Sequence, residues 1–109
     1  MLTENEIYVN HKILELLKAY TPMKIGLVTS NTRELTHKIL NRIGMHEFFD
    51  VIVTCDDVKD QKPHAEPYLL AARILNVNPD ECLVLEDTDV GIESAMNAGM
   101  RYQKITFGG

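Results

Sequence analysis

Apolar runs of strand length recur along the chain and are separated by longer segments of mixed polarity. The runs cover residues 24–29, 51–54 and 82–85, and a weaker strand pattern of mixed polarity covers residues 102–107. Runs of this length, bounded by polar or turn-forming residues, are typical of buried strands in an open sheet. The pattern therefore predicts four β-strands.

The segments before and between these runs carry apolar residues at helical spacing. They predict helices over residues 3–20, 32–43, 66–75 and 88–98. The face that we expect the second of these helices to bury consists of Leu35, Ile39, Leu40 and Ile43.

Each predicted helix is followed by residues that commonly end helices. Pro22 stops the first, and Gly44, Asn76 and Gly99 follow the other three. Glycine and asparagine adopt the left-handed conformation at a helix end at little cost, and proline disfavours helical backbone in the residue before it. These residues support the helix boundaries.

Strands that alternate with helices predict an α/β fold with a parallel sheet between two layers of helices. The 109 residues are of a length that suits one domain over residues 1–109. In such sheets, ligands bind beyond the carboxyl ends of the strands. The residues directly after each strand are therefore the candidates for a functional site.

Composition and charge exclude several classes of partner. The net charge is −5, which gives no reason to expect binding to nucleic acid or to an anionic membrane surface. No apolar run approaches the roughly 20 residues of a membrane-spanning helix. Glu4 and Glu6 lie where a signal peptide needs positive charge. We therefore expect a cytoplasmic protein.

Thr29, Ser30 and Asn31 follow the first predicted strand and precede a helix. Hydroxyl groups and backbone N–H groups at a helix start can bind an anion such as phosphate. The same residue types are the usual helix caps, and these three residues taken alone favour capping. The two interpretations are compatible.

Lys62 lies in the polar loop after the second predicted strand, directly before Pro63. Because proline restricts the local backbone, a lysine at this position can be held where it pairs with a phosphate or a carboxylate. The alternative interpretation is a solvated surface lysine.

Glu86 and Asp87 are adjacent at the end of the third predicted strand. Two carboxylates at the end of a buried strand are costly unless a positive charge lies nearby. Mg²⁺ prefers carboxylate oxygens and leaves room for water and phosphate, so a magnesium site is one interpretation. The alternative is that Asp87 caps the following helix.

Taken together, a hydroxyl, a lysine and paired acids follow three successive strands. One surface would then present an anion site, a positive charge and a metal site, which are the groups that phosphoryl transfer requires. The four histidines share no metal-ligand spacing, and we expect them at the surface.

Three segments resemble motifs of a known family. LVTSN at 27–31, KPHAEPYL at 62–69 and LVLEDTDVGIESAMNAGM at 83–100 resemble the second, third and fourth motifs of the haloacid dehalogenase superfamily. The subgroup they resemble contains the β-phosphoglucomutase-like and phosphoglycolate-phosphatase-like proteins. The resemblance implies a Rossmann-like, three-layer α/β/α fold and an Mg²⁺-dependent phosphohydrolase or phosphomutase that acts on small phosphorylated metabolites.

The resemblance also implies roles for individual residues. Thr29 would donate a hydrogen bond to a phosphoryl oxygen, helped by the backbone of the next two residues. Lys62 would neutralise the nucleophile and the phosphate. Asp87 would bind Mg²⁺, with Glu86 as a second ligand or as a support behind the metal ligands.

The sequence departs from the family pattern at three places. Gln61 and Ala65 replace residues common in the subgroup, and neither change removes a charge that the chemistry needs. The first motif, DxDGT with its nucleophilic aspartate, is absent, because no aspartate precedes Asp50. The cap domain that normally follows that motif is also missing. We therefore expect a truncated core domain that has no turnover by itself.

In the family, the missing first strand lies at the centre of the sheet, between the strands at 24–29 and 82–86. Its loss would leave two strand edges without backbone partners. The two strands would then pair with each other, or a further segment would fill the position. That segment would be a second copy of the chain, a separate polypeptide, or residues 6–10 (EIYVN), for which we favour a helix.

Two functional hypotheses remain open. The chain is the larger part of a phosphatase or phosphomutase core, or it is a non-catalytic remnant or fragment that keeps a phosphate and Mg²⁺ site or acts as an assembly module. A receiver-like signalling module fits less well, because it needs an acceptor aspartate after a central strand.

Overall fold

The computed structural model describes residues 23–105 and, before them, Ala19. The helix predicted over 3–20 therefore lies outside the described residues, except for Ala19, which is helical. The last residues of the fourth predicted strand also lie outside them. Within the part of the chain that the structure describes, no helix is long and apolar enough to cross a membrane.

All four predicted strands are present, with bounds that differ from those of the predicted runs. They are β1 (Gly26–Val28), β2 (Val51–Val53), β3 (Leu83–Glu86) and β4 (Arg101–Lys104). β1 pairs with β2 and β3 pairs with β4, both in parallel. The parallel arrangement confirms the prediction from the alternation of strands and helices.

Three helices follow the strands at the predicted positions. They are α1 (Arg33–Ile43), α2 (Glu66–Leu75) and α3 (Asp89–Asn97). Three short 3₁₀ helices lie in the connections, at His46–Phe48, Cys55–Asp57 and Pro79–Glu81.

The helix ends follow the local sequence signals. Gly44 and Asn76 end α1 and α2 in the left-handed conformation, with φ of 71° and 58°. Thr32 and Thr88 are the N-caps of α1 and α3, and each side chain accepts a hydrogen bond from a backbone N–H of the first turn. These caps fix where each helix begins relative to the strand before it.

The strands place alternate side chains into two apolar clusters, one on each side. On β1, Leu27 belongs to the cluster under α1, whereas Val28 belongs to the cluster under α2 and α3. On β3, Val84 and Leu85 divide in the same way. Because neighbouring residues of a strand point to opposite faces, this division confirms a sheet layer between two helical layers.

The two strand pairs do not form one continuous sheet among the described residues. The hydrogen-bonded order is β1–β2 in one sheet and β3–β4 in the other, and β1 is not hydrogen-bonded to β3. The inner strands β1 and β3 therefore do not pair with each other. Within residues 23–105, the α/β domain thus lacks a strand that joins β1 to β3, in agreement with the incomplete sheet that the family resemblance implies.

One buried position of α1 differs from the prediction. Leu35 was expected on the buried face, but it is 45% exposed, whereas Thr36 is fully buried together with Leu40. The Thr36 hydroxyl donates a hydrogen bond to the Thr32 carbonyl at 2.7 Å, so its burial leaves no polar group unsatisfied. The prediction for Leu35 was wrong because hydrophobic spacing does not register a hydroxyl that the helix itself can satisfy.

Two of the histidines also depart from the expected surface positions. His37 of α1 and His46 are half-buried, and their ring nitrogens are in hydrogen-bonding contact. The ring centroids are 4.6 Å apart. The pair packs α1 against the 3₁₀ helix that follows it.

Candidate functional site

The carboxyl ends of β1 and β3 face each other across the centre of the domain, and one lysine side chain joins them. The Lys62 Nζ donates to the Val28 carbonyl oxygen at 3.3 Å and to Glu86 Oε2 at 3.0 Å. Val28 is the last residue of β1 and Glu86 is the last residue of β3. Thr29 and Asp87 are the next residues along the chain, so all three predicted residues lie in one region.

Lys62 is not a solvated surface lysine. Its side chain is 9% exposed, and the side chain of Glu86, its ion-pair partner, is 1% exposed. A lysine that loses its hydration needs a carboxylate and further acceptors to keep its charge. The structure supplies both, so it excludes the surface interpretation of Lys62.

Glu86 accepts hydrogen bonds at both carboxylate oxygens. Oε2 accepts from Lys62 Nζ and from the Tyr68 hydroxyl, the latter at 2.6 Å. Oε1 accepts from the backbone N–H of Asp87 at 3.2 Å and from the Thr88 hydroxyl at 3.2 Å. With this set of donors, the Glu86 carboxylate holds Lys62 in place. The resemblance allowed Glu86 to be a second metal ligand or a support, and these contacts fit the role of a support.

The pKa of Glu86 lies below its ordinary value. Burial by itself raises it, but the charge of Lys62 and the hydrogen bonds from Tyr68 and Lys62 lower it by more. Glu86 is therefore charged at neutral pH despite its burial, and it forms a buried ion pair with Lys62.

Asp87 is half-buried at the start of the turn that leads into α3. The N-cap of α3 is Thr88, whose hydroxyl oxygen accepts from the Gly91 N–H at 3.0 Å. The interpretation of Asp87 as a helix cap is therefore wrong, because the neighbouring threonine performs that function.

The donor set around Asp87 is compatible with Mg²⁺ although it is not a complete metal cage. Among residues 23–105, no group of three His, Cys, Asp or Glu side chains converges to hold a metal ion. Mg²⁺ is commonly bound through one or two carboxylates together with phosphate oxygens and water. Asp87 supplies one carboxylate directly after Glu86, the partner of the buried Lys62, and one carboxylate is enough for such a site when phosphate and water complete it.

Thr29 is buried at the end of β1, and its backbone N–H continues the pairing to β2 by donating to the Val53 carbonyl at 2.9 Å. The Thr29 Oγ1 accepts from the Asn31 N–H at 3.1 Å, and Ser30 between them is exposed. The Asn31 backbone therefore fixes the Thr29 hydroxyl. The cap of α1 is Thr32, so none of the three predicted residues is needed as a cap.

The loop after β2 is tied to the start of α1. The Asp57 carboxylate accepts from the Thr54 backbone N–H at 2.8 Å and pairs with the Arg33 guanidinium. Burial raises the pKa of Asp57, but these hydrogen bonds and the Arg33 charge lower it by more. The Arg33 backbone N–H also donates to Asp56 Oδ2 at 2.9 Å, which fixes the α1 end next to Thr29.

The segment that carries Lys62 is anchored at its other side by Glu66, the first residue of α2. The Glu66 carboxylate accepts from the backbone N–H groups of Lys59 and Asp60, at 2.8 Å and 3.2 Å. These hydrogen bonds lower the pKa of Glu66. The backbone just before Lys62 is thereby bound to the helix just after it.

Helix α3 holds the same segment from the opposite side. The Ser94 hydroxyl donates to the His64 carbonyl at 2.6 Å, and the Asn97 side-chain amide donates to the Pro63 carbonyl at 2.9 Å. Ser94 is fully buried. Because α3 directly follows Asp87, these bonds fix the distance between the lysine-bearing loop and the acidic pair.

Gly91 of α3 lies against the Glu86 side chain. A Cβ atom at this position would be 2.0 Å from Glu86 Cδ and 2.1 Å from Glu86 Oε2. Any residue other than glycine would therefore displace the Glu86 carboxylate. The glycine therefore allows the helix to approach Glu86 closely.

Sequence reasoning identified Thr29, Lys62 and Asp87 but missed the residues that hold them. Tyr68 and Ser94 are placed by the structure directly behind Lys62 and its loop. By sequence, Tyr68 fits an apolar position of an amphipathic helix, and Ser94 fits a small residue in a packed helix. Only their contacts, made across 18 and 30 residues of sequence, distinguish them.

Comparison with known proteins identifies related phosphatases. The chain is 38% identical over 79 residues to the fructose-1-phosphate phosphatase YqaB of Escherichia coli, covering 72% of this chain and 41% of that protein. It is 37% identical over 84 residues to the pyrophosphatase PpaX of Bacillus cereus, covering 77% of this chain and 39% of that protein.

A solved structure has the same fold. The β-phosphoglucomutase of Clostridium difficile superposes with a TM-score of 0.78 at 33% identity, covering 93% of this chain and 44% of that one. The chain thus spans well under half of the length of these relatives. The sequence profile of the haloacid dehalogenase-like hydrolases matches residues 2–105, nearly the whole chain. This chain belongs to the haloacid dehalogenase-like hydrolase family.

Proposed function

We propose that this chain forms the phosphate-binding part of an Mg²⁺-dependent phosphohydrolase or phosphomutase. Its substrates would be small phosphate monoesters, and the reaction would pass through an aspartyl-phosphate. The relatives named as phosphatases and as a phosphomutase support the reaction class. The observation that carries the proposal is the double contact of Lys62 Nζ with the carboxyl ends of β1 and β3.

Each group in this region has a proposed role toward the phosphoryl group. The Thr29 hydroxyl, held by the Asn31 N–H, donates to one phosphoryl oxygen, and the backbone at Ser30 and Asn31 borders the same oxygen. Lys62 balances the negative charge of the phosphate and of the attacking carboxylate. Asp87 would hold Mg²⁺, which supplies charge neutralisation and alignment of the phosphate oxygens when bound.

The attacking carboxylate comes from outside the described residues in this proposal. No aspartate precedes Asp50 in the sequence, and β1 and β3 leave an unfilled position between them among the described residues. A strand in that position would end beside Lys62. Its carboxylate oxygen would attack phosphorus, the ester oxygen would leave with the bonding electrons, and water or a sugar hydroxyl would then take the phosphoryl group.

Calorimetric titration of the 109-residue chain with inorganic phosphate, in the presence of Mg²⁺, tests the site. We expect binding that Lys62→Met and Asp87→Asn each weaken by about tenfold or more, the size of a lost interaction with a charged group. Lys38→Met is the matched control, because Lys38 is an exposed lysine on α1. Equal affinity in the wild type and in both site variants would reject the proposed site.

A turnover assay tests the requirement for a further carboxylate. With Mg²⁺ and a generic phosphate monoester, we expect no turnover by the chain alone. Turnover that Asp87→Ala abolishes would show that the chain needs no added nucleophile. The DNA sequence upstream of the Met1 codon separates an enzyme core from a non-catalytic remnant: an in-frame or neighbouring DxDGT motif favours the enzyme, and its absence favours the remnant.

A further inference from the structure

Tyr68 is a fully buried residue of α2 that contacts both members of the Lys62–Glu86 ion pair. Its exposed fraction is 1%. Its hydroxyl donates to Glu86 Oε2 at 2.6 Å, the same oxygen that accepts from Lys62 Nζ. The Lys62 ammonium also lies 5.2 Å from the centroid of the Tyr68 ring. One side chain therefore touches the lysine through its ring and touches the partner of the lysine through its hydroxyl.

The ammonium group of Lys62 has three N–H donors. One is directed to the Val28 carbonyl and one to Glu86 Oε2. Within residues 23–105, the third has no acceptor at hydrogen-bonding distance. The direction of this third N–H is fixed by the other two contacts, so whatever fixes Glu86 also sets where Lys62 can bind an anion.

Tyr68 constrains that direction in two ways. Its hydrogen bond is the shortest of those made to Glu86 and prevents the carboxylate from turning away from the lysine. Its ring attracts a cation placed over the ring face within about 6 Å, which keeps the ammonium close to α2. Both contacts act on Lys62 without touching the position of a substrate.

We propose that Tyr68 is a positioning residue that directs the third N–H of Lys62 toward a bound phosphoryl group. This inference rests on the proposed function, since it assigns the phosphate as the target of Lys62. The competing explanation is that Tyr68 only fills the core between α2 and β3.

Tyr68→Phe separates these explanations because it keeps the ring and removes only the hydroxyl. The matched control is Tyr102→Phe, which removes the hydroxyl of a tyrosine on β4 that is 45% exposed. Two quantities are measured in the 109-residue chain: the NMR signals of the Lys62 side chain and the affinity for inorganic phosphate with Mg²⁺. The first does not depend on phosphate binding.

We expect Tyr68→Phe to shift and broaden the Lys62 ammonium signal and to weaken phosphate binding by about tenfold, the usual size of a lost hydrogen bond to a charged group. Tyr102→Phe should change neither. In the Lys62→Met background, Tyr68→Phe should weaken phosphate binding no further, because its effect passes through the lysine.

Three outcomes would overturn the role of Tyr68. The first is an unchanged Lys62 signal in Tyr68→Phe. The second is that Tyr68→Phe weakens phosphate binding as much in the Lys62→Met background as in the wild type. The third is a wild-type spectrum in which the Lys62 Cε protons show no upfield shift from the Tyr68 ring. The last needs no variant and so does not depend on how a variant folds. A wild-type chain that binds no phosphate would reject the proposed function instead, while the Lys62 signal would still report whether Tyr68 holds the lysine.

Discussion

Gly91 of α3 lies so close to the Glu86 carboxylate that there is no room for a side chain at this position. A Cβ atom on Gly91 would lie 2.0–2.2 Å from three Glu86 atoms. We expect Gly91→Ala to lower the free energy of unfolding by about 2 kcal/mol, since overpacking of a buried site outweighs the better helix propensity of alanine. Urea denaturation measures the change.

Gly44→Ala is the comparison for this prediction. Gly44 has a φ of 71°, but a methyl group added there would meet nothing within 4 Å, so alanine costs about 1 kcal/mol through backbone strain alone. The Gly91 variant should also weaken phosphate binding, whereas the Gly44 variant should not. Equal effects of the two substitutions on phosphate affinity would contradict the account of Gly91.

Glu86 makes stability depend on pH in a defined direction. Its pKa is lowered in the folded state, so the unfolded chain binds a proton first as pH falls. The contribution of the charged Glu86 to the free energy of unfolding is complete above the pKa of the unfolded chain, about 4.3. It is lost as pH falls from that value to below the lower pKa of the folded state. We therefore expect the free energy of unfolding to decrease as pH falls below about 5, and to go on decreasing until pH lies below the folded pKa of Glu86.

Urea denaturation at several pH values checks this dependence. Glu86→Gln should flatten the curve relative to the wild type, and the remaining slope reflects Asp57 and Glu66, whose pKa values are also lowered. Glu34→Gln, which changes an exposed glutamate of α1, should leave the slope intact. A slope that Glu86→Gln does not reduce would show that the Lys62–Glu86 pair is not charged in the folded state.

At the level of single residues, the sequence indicated the residues of the proposed site but not the residues that contact them. Thr29, Lys62 and Asp87 could be found because they follow strands directly, a position that the alternation of elements defines. Tyr68 and Ser94 act through contacts with residues distant in sequence. Their residue types are equally common in ordinary cores, so no local pattern distinguishes them.

At the level of elements, α3 connects the acidic pair to the loop that carries Lys62. Ser94 and Asn97 lie one turn apart and donate to successive carbonyl groups of that loop. We expect Ser94→Ala to lower the free energy of unfolding by about 1 kcal/mol, because the His64 carbonyl loses a hydrogen bond. It should also speed hydrogen exchange at the His64 amide, which bonds to the Gln61 carbonyl.

Asn41→Ala is the control for this prediction, since Asn41 is an exposed asparagine on α1, away from the loop. Asn41→Ala should change the free energy of unfolding by no more than about 0.5 kcal/mol. It should leave the rate of hydrogen exchange at the His64 amide unchanged. If Ser94→Ala leaves hydrogen exchange in the loop unchanged, α3 does not hold Lys62 in place.

The helices were predicted more closely than the strands for a physical reason. Helix ends carry local signals, such as the hydroxyl of Thr88 and the left-handed Gly44, and these depend on neighbouring residues only. Strand ends are set by pairing with distant segments, so β1 covers only Gly26–Val28 of its six-residue apolar run. The exposure of Leu35 has the same origin, since tertiary packing decides which side of a helix is covered.

At the level of the whole molecule, the position between β1 and β3 is the main open feature of the described residues. Backbone groups along an unpaired strand edge favour pairing with a further strand. We propose that a second copy of the chain, a separate polypeptide or residues 6–10 occupies this position. The solution mass, measured with and without Mg²⁺, distinguishes a second copy from the other two.

A second copy predicts a dimer whose proportion increases with protein concentration. A monomer at all concentrations would exclude the second copy and leave the separate polypeptide or residues 6–10 of the same chain. The Cα chemical shifts of residues 6–10 in the monomer separate the last two, because a paired strand in this segment gives β-type shifts, whereas the helix that the sequence favours does not.

The central claim is that Thr29, Lys62 and Asp87 surround one phosphate-sized site. Crystals of the chain grown with tungstate and Mn²⁺, which stand in for phosphate and Mg²⁺ and are located by anomalous scattering, test it most directly. The account predicts tungstate within about 3 Å of Thr29 Oγ1 and Lys62 Nζ, with Mn²⁺ on Asp87. Tungstate bound only elsewhere, or a structure in which these three side chains face different sides of the molecule, would contradict it.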